Sequence, residues 1–327
     1  MTRWTVSPDP GESFVSVQAA VDAAAPGDEI LILPGVYRER VVIGKDGLHL
    51  RGMNTETTVI THAACARDRD ETGKEKGTFL SFSVLITGAD VTMENLTVRN
   101  DAGDGSIAGQ AVALYAAGDR GVFRRCRFIA CQDTLFCGPI MDKVAREILP
   151  RAPGSAQRVP SVGDCPPTFA RQYFEDCFIR GDVDFIFGPY RCWFEGCTLY
   201  MNPRGGWYTA PNTPAEQPYG FVFHLCRLTG ACAPGAAYLG RPWRKDAAAA
   251  FLGCDMDDCV SPRGFADWDT ERAVTARLQE GGTVGVRADP SPRHPREKIL
   301  TEEETARITR DAVLGGWRPE RNGGEEP

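Results

Sequence analysis

The chain has 327 residues, 42% of them hydrophobic and 25% charged, enough for one large globular domain or two ordinary ones. A net charge of −7 leaves no basic footprint for nucleic acid, and no apolar run is long enough to span a bilayer as a helix. Nucleic-acid and membrane partners are therefore not expected.

The N-terminal stretch "MTRWTVSPDPGESF" lacks the apolar core of a signal peptide. A cytoplasmic protein is expected, or a secreted one if a leader has been removed. Residues 16–24, "SVQAAVDAA", predict a helix with Ser16 as N-cap. Such a helix would cover the open edge of the repeat that follows.

That repeat is written in the cysteines. Five of the 12 cysteines follow a Phe by three positions: Phe123/Cys126, Phe174/Cys177, Phe194/Cys197, Phe223/Cys226 and Phe251/Cys254. An apolar residue stands two places after each Cys (Phe128, Ile179, Leu199, Leu228, Met256), and "MENLTV" fits the same frame with Met93, Leu96 and Val98. Spacings of 20, 29 and 28 residues separate the last four cysteines. A short pattern at that period signals a solenoid whose units bury their apolar faces only by stacking. Short β-type runs between turn residues make it an all-β chain, a parallel β-helix. The five thiols form an inward ladder, because free Cys behaves as a small buried hydrophobe. A long chain without a signal peptide favours reduced thiols. No C-x-x-C pair occurs, so a zinc ribbon is not expected and no metal ligands are assigned.

Residues 138–170 break the period with six prolines and no strand pattern. The insertion is either a functional loop beside the site or a tolerated surface excursion. In "RGDVDFIFG" (180–188), two aspartates interrupt an apolar run. Read as a strand, it places Asp182 and Asp184 on one face. Asp182 is expected to be a solvated turn residue. Asp184 follows Cys177 by seven residues, as Asp133 follows Cys126. With the insertion removed, one coil separates them, so the two aspartates should stack on adjacent coils about 4.8 Å apart. Paired carboxylates split their pKa values, which suits a base or nucleophile beside an acid. A calcium site, or a pair satisfied by Arg and backbone amides, is the bland alternative. No G-x-S-x-G elbow occurs, and none of the four histidines is near either aspartate in sequence. His224 reads as a strand residue. Two-carboxylate glycoside hydrolysis, lyase chemistry and an aspartate nucleophile on an ester remain open.

Further on, "TEEETARITRDAVL" (301–314) predicts a C-terminal helix, with Thr301 and Glu304 in capping-box positions. The domain spans 1–317 with the insertion at 138–170, and 318–327 is a polar tail.

"GQAVAL" (109–114), "CQDTLF" (131–136), "GDVDFIFG" (181–188) and "YLGRPWR" (238–244) resemble, in order, the four signature blocks of the pectin methylesterase (pectinesterase) family. "PGVYRERV" (34–41) is similar to its N-terminal block. The resemblance implies a right-handed parallel β-helix, to which the two terminal helices read above are added, and hydrolysis of the C6 methyl esters of galacturonate to carboxylate and methanol. It implies Asp184 as nucleophile and Asp133 as acid and then base. Gln110 and Gln132 would stabilise the oxyanion, and Arg241 would hold Asp184. Trp243, Phe136 and Phe187 are assigned to substrate binding; for Trp243, core burial is the alternative. No cofactor is implied. The partner is methyl-esterified oligogalacturonide or pectin. Each role is sound chemically: a guanidinium lowers a carboxylate's pKa, a neighbouring anion raises it, and fixed amides serve an oxyanion. The sequence departs from the family at Pro189–Cys192, at Phe136, where Tyr is frequent, and in a degenerate stretch at 276–286. A polygalacturonase, a lyase or a non-catalytic carbohydrate-binding solenoid are the rival readings.

Overall fold

The computed structural model describes residues 1–327 apart from 10, 12, 13, 149–169, 270, 273 and 320–327. Among the described residues, the strands form three parallel sheets of 11, 7 and 9 strands. Within each sheet, hydrogen-bonded neighbours come from successive turns of the chain. Strand Gly121–Arg124 pairs with Arg171–Glu175, that with Arg191–Glu195, and that with Phe221–His224. The chain visits the three sheets in turn, as a parallel β-helix requires.

The repeated Phe and Cys are the inner furniture of this coil. Phe123, Phe174, Phe194, Phe223 and Phe251 are fully buried. Their rings stack at successive centroid distances of 4.6, 4.6, 4.5 and 4.5 Å, close to the natural strand spacing. The residue before each ladder cysteine turns the corner with positive φ: Arg125, Asp176, Gly196, Leu225 and Gly253. The five cysteines are buried and unbridged. Cys177, Cys197, Cys226 and Cys254 aim their thiols at the carbonyl of the Phe one coil below, at 3.4, 3.7, 3.5 and 3.4 Å. A small thiol fills the inside of the corner and finds an acceptor there, so the ladder is packing rather than chemistry.

The N-terminal helix is Val17–Ala23. Ser16 caps it by accepting from the Ala19 amide, and Val17, Ala20 and Val21 are buried in the core beside the first coils. At the other end the expected single helix over 301–314 is two, Glu302–Arg307 and Arg310–Val313. Thr301 and Glu304 form the expected capping box. The break arises because Thr309 caps the second helix, accepting from the Ala312 amide. The reorientation lets Val313 and Leu314 bury against Tyr173, Trp193 and Val222 on the outer face of the largest sheet.

The middle of the phenylalanine stack should be the least tolerant position of the core. Phe194→Ala is expected to destabilise the protein by about 3–5 kcal/mol, read as a lower denaturant midpoint. The five ladder thiols should stay unreactive toward a thiol reagent until the protein is unfolded.

Candidate active site

Residues 182–184 are not strand but the turn between strands Phe178–Gly181 and Ile186–Gly188. Asp184 has φ +52° and Asp133 φ +63°. Asp tolerates this left-handed region better than most residues, and non-Gly residues held there mark local strain. The turn overturns the strand reading of 180–188: the carboxylates are aimed by left-handed residues, not by strand alternation. The pairing of coils is as expected. Leu135 lies opposite Ile186 and Phe136 opposite Phe187, and the Asp133 amide donates to Val183 O at 3.1 Å. Asp133 and Asp184 hold equivalent positions on adjacent coils.

Both aspartates line a cleft of about 280 Å³. Gln110 and Gln132, bridged to each other on adjacent coils, also reach it. Arg241 stands immediately after strand Ala237–Gly240. Its guanidinium grips Asp184 with two bonds, Nε to Oδ1 at 2.9 Å and Nη2 to Oδ2 at 2.7 Å. The guanidinium lies between two indoles, 3.7 Å from the Trp207 ring centre and 4.1 Å from that of Trp268. Such a sandwich fixes a planar cation and limits its hydration.

Burial is the largest influence on both carboxyls. It pushes Asp184 above the ordinary range, and Arg241 opposes it without overcoming it. The guanidinium therefore does not bring Asp184 below the normal carboxylate range, as charge pairing alone suggests. Asp133 is pushed well above the ordinary range, first by burial and then by the Asp184 charge. The asymmetry favours ionisation of Asp184, which holds the cation, and retention of the proton by Asp133. Asp182 also differs from expectation. It is 3% exposed, its Oδ1 accepts from the Val183 amide at 2.7 Å, and burial raises its pKa. It is a buried turn-stabilising carboxyl, not a solvated one.

Phe187 and Trp243 line the cleft, and Trp243 is only partly buried. Phe136 does not reach the cleft surface: it is 1% exposed, beneath Phe79 at 4.9 Å and Phe187 at 4.7 Å. Its strand position turns the ring into the second apolar cluster, so it supports the wall rather than lining it. The sequence reading missed Thr78, Phe79 and Trp268, which line the cleft, and Trp207. Thr78 and Phe79 belong to a single-turn helix, Thr78–Leu80. Helix Asp142–Glu147, at the start of the insertion, packs behind that turn with Val144 buried. The rest of the insertion, 149–169, lies outside the described residues.

Fold and site define a parallel β-helix with a paired-carboxylate cleft. The pectinesterase family profile matches residues 3–139 and 167–304, and the chain belongs to the pectinesterase family. It is similar to Pectinesterase 31 of Arabidopsis thaliana, 30% identical over 320 residues that cover 94% of this chain and 91% of the relative. Among solved structures it resembles pectin methylesterase from carrot, with TM-score 0.78 and 27% identity over 96% of this chain and 93% of that one. It also resembles a pectin methylesterase in complex with a hexasaccharide, with TM-score 0.78 and 27% identity over 97% and 98% of the two chains.

A buried carboxyl with a raised pKa weakens the fold as pH rises above its unfolded value, and the full stability is present only below that value. Asp133→Asn removes the burden. The variant should therefore be more stable than the wild type at pH 7, by about 1.4 kcal/mol for each tenfold change in proton affinity relieved. The difference should vanish below about pH 4. Thermal melts at the two pH values read it directly.

Proposed function

We propose that the chain hydrolyses C6 methyl esters of galacturonate in pectin or its oligomers, with Asp184 as nucleophile. Family membership supports the reaction, and the hexasaccharide held by a structural relative supports a sugar chain as substrate. The observation that carries the roles is the asymmetry of the pair: Asp184 is gripped by Arg241, while burial and the Asp184 charge raise the pKa of Asp133 beside it.

The steps follow from that asymmetry. A lone pair on an Asp184 oxygen attacks the ester carbonyl carbon. The carbonyl oxygen takes the negative charge, within reach of donors that the Gln110 and Gln132 amides supply. As the intermediate collapses, the C–O bond to the methyl group's oxygen breaks, and Asp133 gives that oxygen its proton. Methanol leaves and an acyl–Asp184 anhydride remains. Asp133, now a carboxylate, takes a proton from water as the water attacks the acyl carbon. Collapse releases the galacturonic acid, which gives its remaining proton to solvent and leaves as carboxylate, and restores Asp184 ionised and Asp133 protonated. Burial serves the second aspartate by holding its proton near neutral pH. Arg241 serves the first by favouring its ionised form and fixing its plane.

Trp243 and Phe187 offer apolar surface for a sugar face and a methyl ester. A methyl-esterified oligomer is nearly neutral and so less repelled than a polyanion by a protein of net charge −7.

Asp184→Asn and Asp133→Asn should each slow methanol release from methylated oligogalacturonide at least about a hundredfold with the fold intact. Near-normal release by Asp184→Asn would remove the nucleophile assignment. Activity needs ionised Asp184, so it should fall as pH drops through that group's pKa. Arg241→Gln removes the opposing cation, which raises the pKa further and moves the acidic limb to higher pH. A limb that stays in place would show that Arg241 does not set the ionisation of the pair.

A further inference from the structure

Trp268 is far from Asp184 in sequence, yet its indole closes one side of the Arg241 guanidinium. The segment that delivers it, 259–268, lies along the free edge of strand Ala237–Gly240. Leu239 N donates to Gly264 O at 2.9 Å and Ala266 N donates to Gly240 O at 2.9 Å, next to Arg241 itself. Behind this segment packs a second one, 287–297. Arg293 Nη1 donates to Pro262 O at 3.0 Å, and His294 N donates to Arg263 O at 2.9 Å. The Phe265 amide donates to Glu297 Oε2 at 3.3 Å. Gly264 has φ +67°, and a Cβ there would lie 2.2 Å from Glu297 Oε2. Glu297 thus presses directly on the backbone that carries Trp268.

Glu297 belongs to a sealed ionic cluster. Arg293 pairs with Glu280 through two bonds, at 3.1 and 3.0 Å, and lies 4.0 Å from Glu297 Oε1. The side chains of Arg293, Glu280 and Glu297 are 3%, 3% and 0% exposed. Glu297 Oε1 is buried and too far from Arg293 for a hydrogen bond, and the Glu297 carboxyl, when protonated, has Glu280 as its hydrogen-bond partner. Two carboxyls share one guanidinium, so the cluster is neutral only when it holds one proton.

We propose that Glu297 and Arg293 are positioning residues for the ester hydrolysis: with Glu280 they brace segment 261–268, which keeps Trp268 on Arg241 and Arg241 on Asp184. The proposal rests on the reaction assigned above. Burial first, and then the Glu280 charge, raise the Glu297 pKa to about 8. Glu280 faces it from strand Arg277–Gly281, and Arg293 from its own segment. Around the cluster, Asp267 on the braced segment meets His294 at 3.1 Å and Arg296 at 3.9 Å. Arg287 donates to Asp258 O and Val260 O, and Asp289 lies near Arg293. None of these adds a second cation inside the seal. The sign follows from the raised pKa. The brace is intact while Glu297 is protonated and is lost as pH rises through about 8, when a second buried negative charge faces Glu280.

The test compares the wild type with Glu297→Gln, which keeps the shape and cannot ionise. Methanol release and hydrogen exchange are followed at pH 7 and pH 9, at a temperature where circular dichroism shows both proteins folded. A group with a pKa near 8 goes from about nine-tenths neutral to about one-tenth over that interval, so its contribution to kcat falls up to about tenfold in the wild type. In Glu297→Gln the ratio of kcat at pH 9 to that at pH 7 should be several-fold larger, with a smaller difference in KM. Exchange protection of the Ala266 amide, corrected for intrinsic rate, should fall at pH 9 in the wild type only. An alkaline limb identical in both proteins assigns it to Asp133 and overturns the proposal. So does unchanged Ala266 protection between the two pH values, a measurement on the wild type that stands even if the variant does not fold. A wild type that releases no methanol at any pH would instead overturn the reaction, and the exchange measurement would still decide the brace.

Discussion

Everything at the cleft depends on one constraint: coils of a parallel β-helix stack in register at the spacing of a hydrogen-bonded strand pair. Asp133 and Asp184 are 51 residues apart, yet the pairing of Leu135 with Ile186 fixes their mutual position as firmly as any neighbouring strand pair. Gln132, beside Asp133 on its coil, is matched the same way to Gln110 on the coil before. The stack is held from inside by the phenylalanine column and the cysteine corners, where rings and thiols repeat at the same rise. A slip of one coil would separate the acid from the nucleophile, so the core's regularity is itself part of the site's geometry.

The same stacking creates the electrostatic problem the site exploits. Two carboxyls at equivalent positions on adjacent coils, both under 10% exposed, disfavour each other's ionisation. One cation is supplied, and it is bonded to Asp184. The cation comes from a later coil, after strand Ala237–Gly240, and two indoles sheathe it. Shielding a guanidinium from water keeps its hydrogen bonds to one carboxylate strong and directional. The remaining carboxyl is left with burial and a neighbouring charge, which together raise its pKa. The difference in function between two identical side chains is therefore a difference in what stands beside them.

Much of this was legible in the sequence because a solenoid writes its three-dimensional neighbours as a fixed interval. The Phe-x-x-Cys spacing gave the coil, and the shared offset of Asp133 and Asp184 from Cys126 and Cys177 gave their alignment. What failed was local. Asp182 and Asp184 look like strand residues by alternation, but left-handed φ at Asp184 turns the chain there, and no apolar pattern reports a single such residue. Asp182 is expected to be solvated, whereas its Oδ1 is bonded to the Val183 amide and lies against Gly105 of an earlier coil, features with no trace in the apolar pattern. Phe136 carries a family-like position, but which side of a three-residue strand faces the cleft is decided by the next coil. Trp207 and Trp268 lie outside the periodic frame, so nothing in the sequence ties them to Arg241. The C-terminal helix was split by Thr309, whose capping preference competes with continued helix over a few residues and is visible only once the packing of Val313 is known.

Among the described residues the same ionic arrangement occurs at two places, and the contrast explains why one of them is suited to be a reactive centre and the other is not. At Asp133, Asp184 and Arg241, as at Glu280, Glu297 and Arg293, two buried carboxyls share one guanidinium that bonds one of them through two nitrogens. In each the unbonded carboxyl has its pKa driven up by burial and by its partner's charge. The second cluster is closed on every side, with Glu297 at 0% side-chain exposure against the glycine backbone of the segment it supports. The first opens onto a cleft that Gln110 and Gln132 also line. Proton affinity alone therefore does not make a catalytic acid. The raised pKa becomes chemistry where a substrate atom can approach the proton and donors await the charge that develops, and becomes mechanical stiffness where neither can.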